Sequence, residues 1–224
     1  MASMVSPLPS VKRNGMRQYG NEDAVANRTD EIKELAEGAT TNKKKLADLV
    51  KQLSGASRRE RQIAASALHL VAKADAARLV DYTDVIIDAL NRPEAQTRWE
   101  CLETLTLMIE HDSRTCGKAI PEAESALFDE ESGPVRLAAM RFLCALGKTT
   151  AARSEKVWPL IDEGIQCYHG DLEFNDMLVA ITEFSTGKLS GKVKAELKER
   201  MSFDAENGKG SLKRKAQAII DNVS

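Results

Sequence analysis

Apolar residues recur along this chain at intervals of three and four, and one such pattern returns several times. In GPVRLAAMRFLCALGK, residues 133–148, the apolar Ala139, Met140, Leu143 and Leu146 fall three, four, seven and ten positions after Arg136. Those offsets draw a single stripe along an α-helix. The register returns after Arg61 (Ala64, Ala65, Leu68, Val71), after Arg98 (Cys101, Leu102, Leu105, Met108) and after Phe174 (Met177, Leu178, Ile181, Phe184). It weakens after Leu212, where Lys215 and Asn222 stand at two of the positions beside Ala216 and Ile219. A last unit with one wet side is expected to look like this. The anchors Arg61, Arg98, Arg136, Phe174 and Leu212 lie 37, 38, 38 and 38 residues apart.

Weaker helical segments lie between the strong ones: NKKKLADLVKQL, AARLVDYTDVIIDAL, the stretch around PEAESALF, SEKVWPLIDEGI and KVKAELKERM. Pro121 and Pro159 are also 38 residues apart and mark the same place in two of them. No strand-like alternation of any length interrupts the pattern. A period near 38 with two helices per unit predicts stacked helical hairpins. The expected fold is all-α, a right-handed α–α superhelix of about five hairpins. Residues 21–224 are expected to form one repeat domain. Residues 1–20, with Pro7, Pro9, Gly15 and Gly20, read as a flexible arm carrying Lys12, Arg13 and Arg17.

SGPVRLAAMRFLCALG, with its V-R-x-x-A core and spaced leucines, resembles the second helix of a HEAT repeat, the armadillo-type solenoid class. AQTRWECLETLTLMI and RRERQIAASALHLVA resemble looser copies. The resemblance covers about residues 40–224, with a preceding half-unit in NEDAVANRTDEIKELAEG. It implies a solenoid fold and leaves activity open, because such arrays serve scaffolds, transport factors and a few enzymes. It also implies that the arginine column Arg61, Arg98 and Arg136 staples neighbouring repeats, with Glu60, Glu94, Glu130 and Glu131 as nearby acids. A guanidinium fork suits the task, since it can satisfy carboxylates and helix-end carbonyls together.

Aromatics make up 4% of the chain against 42% hydrophobic residues, which suits close helix packing. Cys101, Cys116, Cys144 and Cys167 form no C-x-x-C pair, and only three histidines accompany them. That argues against a Cys/His metal cage and for buried thiols in a reducing compartment. The N-terminus lacks a signal-peptide core and no run is long enough to span a bilayer, so a cytoplasmic location is expected. Net charge is −2, but residues 75–186 carry 10 basic and 21 acidic residues, a local net of −11. An acidic centre opposes tracking of a phosphate backbone and favours a protein partner with a basic or mixed surface. The basic ends could attract that centre in another copy, giving salt-sensitive self-association.

Sequences that suggest chemistry have plainer explanations. GKTT at 147–150 lacks the earlier glycine of a phosphate-binding loop and follows a helix, so Gly147 and Lys148 read as a helix end. Cys167, His169 and Asp171 are neighbours in sequence, which rarely gives the geometry of a nucleophile and its base. Asp112 reads as a cap, and Asp129, Glu130 and Glu131 as charges favouring the following helix N-terminus. No cofactor, metal site or catalytic residue is assigned. The positions left off the stripe would line the concave side of a solenoid, and among them Gln62, Trp99, Glu103, Leu137 and Arg141 form the candidate binding surface. Tryptophan and arginine are common interface anchors. The expected function is a non-catalytic protein-binding scaffold. The alternative is a HEAT-like DNA-binding enzyme resembling the alkylpurine DNA glycosylases, whose concave grooves are basic and aromatic-lined with an acidic catalytic residue.

Overall fold

The computed structural model describes residues 16–224, with side chains from Asn27 onward. Among them the regular structure is helical: α1 (Met16–Thr41), α2 (Lys43–Gln52), α3 (Arg58–Asp75), α4 (Thr83–Asp88), α5 (Ala95–Cys116), α6 (Ile120–Leu127), α7 (Gly133–Gly147), α8 (Ala151–Tyr168), α9 (Phe174–Ser185), α10 (Gly191–Asn207) and α11 (Gly210–Val223), with short 3₁₀ turns between some of them. Most of the expected arm, residues 1–15, lies outside the described residues, and Met16–Gly20 belong to α1.

Each recurring stripe became a helix of one row. α1, α3, α5, α7, α9 and α11 pack in chain order, each against the next. α2, α4, α6, α8 and α10 form the second row, and α1 adds a half-unit packed on α2 and α3. The stripe residues are the seam: Leu68, Leu102, Leu105, Met108, Met140, Leu143, Leu146, Ile181 and Phe184 are all buried. Burying one such side chain is worth roughly 1.5–3 kcal/mol, so the row of stripes dominates cohesion.

Helix starts follow local chemistry. Asn42, Ser57, Ser132, Thr150 and Ser190 each turn a side-chain oxygen onto backbone N–H groups of the following helix. The outer row is less regular than the sequence suggests. Residues 76–91 divide into a 3₁₀ stretch, the single turns of α4 and another 3₁₀ turn. In α5 the helix breaks at Asp112 (φ −148°, ψ 71°), whose Oδ1 accepts from Thr115 N at 2.9 Å and restarts the chain toward α6. Pro121 therefore falls in the first turn of α6, while Pro159 lies inside α8. Their equal spacing hides different local roles.

Lys215 and Asn222 stand on a wetter side, as expected of a last unit: Asn222 is exposed and Lys215 half-buried, and each still finds a polar partner on α9. Lys215 Nζ donates to Asn175 O at 2.9 Å, and Asn222 Nδ2 donates to Ser185 Oγ at 2.8 Å. The last helix is tied to α9 by polar bonds where earlier units use apolar contact. Three of the four cysteines are buried, but Cys167 is exposed. Burial pushes the Cys116 thiol up to about 12, and also raises Cys101 and Cys144, so these three act as apolar fillers.

Candidate binding groove

The arginine column sets the spacing of the row. Each arginine, in the first turn of its helix, reaches an acid just ahead of the next helix in the row. Arg61 on α3 pairs with Glu94, Arg98 on α5 with Asp129, and Arg136 on α7 with Glu173. Arg61 also donates to the carbonyls of Gly55 and Ala56 at 2.7 and 2.9 Å, and Arg136 to that of Asp129 at 2.9 Å. One planar fork thus holds its own entry loop and the next unit's together. Of the acids expected from sequence only Glu94 is used. Glu60, Glu130 and Glu131 are exposed, and Asp129 and Glu173 take the role. The Arg61 guanidinium holds the Glu94 carboxyl below its ordinary range. Asp129 is also lowered: burial opposes its charge, but Arg98 and the N–H groups of Glu131 and Ser132 outweigh burial.

With the row fixed, residues off the stripe converge on a groove of about 610 Å³ across α1, α3, α5 and α7. α5 supplies Trp99, Glu100 and Glu103, α3 supplies Ser66, His69, Leu70 and Lys73, and α7 supplies Pro134, Leu137 and Arg141; Ile32 of α1 closes one end. Four of the five residues expected from sequence therefore meet here: Trp99, Glu103, Leu137 and Arg141. Gln62 does not line the groove. Trp99 is half-buried, its inner part packed on the core and its outer part in the groove. Covering the seam and facing a ligand are both done by the same side chain. Trp158, by contrast, is buried within α8.

Two polar clusters shape the walls. Arg141 Nη1 donates to Glu103 Oε1 at 2.7 Å, joining α5 to α7. On the other side His69 Nδ1 lies 2.6 Å from Glu100 Oε2, and Ser66 Oγ donates to Glu100 Oε1 at 3.1 Å. Gln96 Nε2 donates to Ser66 Oγ at 3.0 Å and Gln96 Oε1 accepts from Arg28 Nη2 at 3.1 Å. Burial raises the Glu100 carboxyl, but His69, Ser66 and the charge of Lys73 more than offset it and leave the group below its ordinary range. Little in the amino-acid pattern points to this cluster. Its only trace is an i, i+3 pair, Ser66 and His69, on one helix and Glu100 a repeat later.

The other sequence candidates disperse. Cys167, His169 and Asp171 form no triad: His169 Nε2 faces the Asp204 carboxylate at 3.1 and 3.2 Å, and Tyr168 Oη donates to Leu127 O at 2.7 Å. Gly147 ends α7, and a Cβ there would stand 2.5 Å from Val157 Cγ2, so the glycine serves close packing. Among the described residues no group of three or more His, Cys, Asp or Glu side chains could hold a metal ion, and no helix is long and apolar enough to cross a membrane.

Stacked hairpins, a stapled inner row and a lateral groove define an all-α solenoid of the armadillo and HEAT kind. No family model matches the chain, and no curated protein matches it. Among solved structures it is similar to a designed armadillo repeat protein in complex with the peptide (KR)4, at a TM-score of 0.72 and 14% identity over 94% of this chain and 96% of that one. It is also similar to computationally designed armadillo repeat proteins for modular peptide recognition, at a TM-score of 0.66 and 14% identity over 85% and 91%. An engineered protein gives a TM-score of 0.68 and 14% identity over 86% and 88%. At this identity the likeness is one of fold.

Proposed function

We propose that this protein is a binding scaffold that holds a segment of a partner protein in the groove across α1, α3, α5 and α7. The observation that carries this is the half-buried Trp99 standing in a 610 Å³ groove between two hydrogen-bonded polar walls. A rigid aromatic beside pre-paired charges loses little entropy on binding, which is how interface anchors work. With helices about 8–10 Å apart, the four span roughly 25–30 Å, the reach of an extended segment of about eight residues. The fold neighbours agree in kind: one is described in complex with a peptide and another as made for peptide recognition.

The test is selection of a displayed peptide library on the immobilised protein, followed by affinities for the enriched peptides. Trp99→Ala should weaken them by about tenfold or more, with unchanged helical circular dichroism. An empty selection, or equal affinity in Trp99→Ala and Arg141→Ala, would remove the reading.

A second reading is favoured by one observation: Trp99, Glu103 and Arg141 share a groove, an aromatic, a carboxylate and a cation together. The alkylpurine glycosylases of HEAT-like fold join an acidic residue to several aromatics in a basic groove, and this groove offers one tryptophan and balanced charge toward that pattern. No role is assigned to any of the three. Incubation with methylated DNA decides it, and absence of released base disposes of it.

A further inference from the structure

Acids outnumber bases along residues 75–186, whereas among the residues lining the groove Lys73 and Arg141 balance Glu100 and Glu103. The acidic excess of residues 75–186 favours a basic partner, yet several acids of this region are engaged within the protein. Glu94, Asp129 and Glu173 are held by the arginine column, and Asp162 by Arg200. Inside the groove the two carboxylates lie low. The Glu100 and Glu103 side chains keep only 19% and 23% of their exposure, and both accept hydrogen bonds from neighbours. The cations that line the same groove are more exposed than the carboxylates. Lys73 is exposed and makes no hydrogen bond or ion pair among the described residues. Arg141 keeps 42% of its side-chain exposure and spends one N–H group on Glu103, with no further bond from the guanidinium among the described residues. Arg28 of α1, outside the groove lining, donates to the neutral Gln96.

We infer that the groove takes an acidic protein segment, one carrying a glutamate or aspartate between apolar residues. Its carboxylate is received by Arg141 or Lys73 while an apolar neighbour lies on Trp99 and Leu137. This rests on the scaffold reading and adds the sign of the partner's charge. A carboxylate at this place meets unspent donors, and charge-assisted bonds to a guanidinium are the strong ones. A lysine at the same place meets carboxylates that are mostly buried and already share their charge with Arg141 and His69, so it gains less there. Nucleic acid is also anionic, but a phosphate backbone needs a run of cations along its length. The same units expose Glu110, Glu130 and Glu131, which oppose such a run. A single carboxylate needs only the local pair.

The experiment uses the full chain and four dye-labelled probes followed by fluorescence anisotropy. Three are ten-residue peptides of one aliphatic sequence carrying glutamate, glutamine or lysine at alternate positions, and the fourth is a single-stranded DNA of ten nucleotides. The glutamate peptide is expected to bind about tenfold more tightly than the lysine peptide, with the preference falling as salt rises. Lys73→Glu changes an exposed side chain, so folding should persist, and it should reduce or reverse the preference. Tighter binding of the lysine peptide, or a preference untouched by Lys73→Glu, overturns the inference while leaving a peptide groove in place. DNA binding above all three peptides overturns it in favour of a nucleic-acid groove. No binding of any probe overturns both the inference and the scaffold reading.

Discussion

Arg136 shows how much one side chain can carry in this protein. Its Nε donates to Glu173 at 2.7 Å, its Nη1 to the Asp129 carbonyl at 2.9 Å, and its guanidinium lies 5.1 Å from the Tyr168 ring centroid. Arg136→Ala would leave a largely buried carboxylate and a carbonyl without partners, at a cost of roughly 3 kcal/mol. Denaturant unfolding should show the midpoint falling, with activity in binding reduced only through stability. The carboxylates of the network also fix the acid limit. Glu94, Glu100 and Asp129 all have folded values below their ordinary ones. Their contribution is therefore complete above the ordinary carboxylate range, about pH 4, and is lost as pH falls below it. Thermal unfolding should be flat from neutral pH to about 5 and then drop steeply. A melting temperature unchanged down to pH 3 would show that these pairs contribute nothing.

At the level of elements, close approach matters as much as the stripes. α7 meets α8 and α9 through Gly147, where an added Cβ would lie 2.5 Å from Val157 Cγ2 and 2.8 Å from Phe184 Cε2. Gly147→Ala gains helix propensity, worth about 1 kcal/mol. The overlap should cost roughly 1–3 kcal/mol and win, because both neighbours are buried and held on other sides. The expected result is a net loss of stability, and a higher melting temperature for Gly147→Ala would contradict this packing. The irregular outer row has a different cause. AARLVDYTDVIIDAL carries apolar residues at helical intervals, but no side chain caps the segments that it forms. The chain there settles into 3₁₀ turns that lie along α5.

At the level of the whole molecule, each unit touches only its neighbours, so stability adds up along the array and falls at its ends. α5 and α7 are stapled on both sides, whereas α11 has a neighbour in the row on one side only. Native-state hydrogen exchange should therefore be slowest in α5 and α7 and faster in α10 and α11. Uniform protection along the row would mean that the array opens as one unit. The groove lies over the most protected helices, which suits a site that must hold its shape.

The repeat, the all-α class, the inner row and four of the eleven residues that line the groove were legible in the sequence, because helical periodicity is a local property that 224 residues repeat several times. Trp99, Glu103, Leu137 and Arg141 could be grouped since a constant period places equal offsets side by side. Register alone could not choose the acid that each arginine takes, since Glu130 and Asp129 differ by one residue and only the loop path separates them. Nor could it reveal the Ser66–Glu100–His69 cluster, whose members belong to different units. The sign of the groove's available charge was likewise beyond it. That sign depends on which carboxylates are already bonded, and bonding is decided by distances between helices, which only the packed array sets.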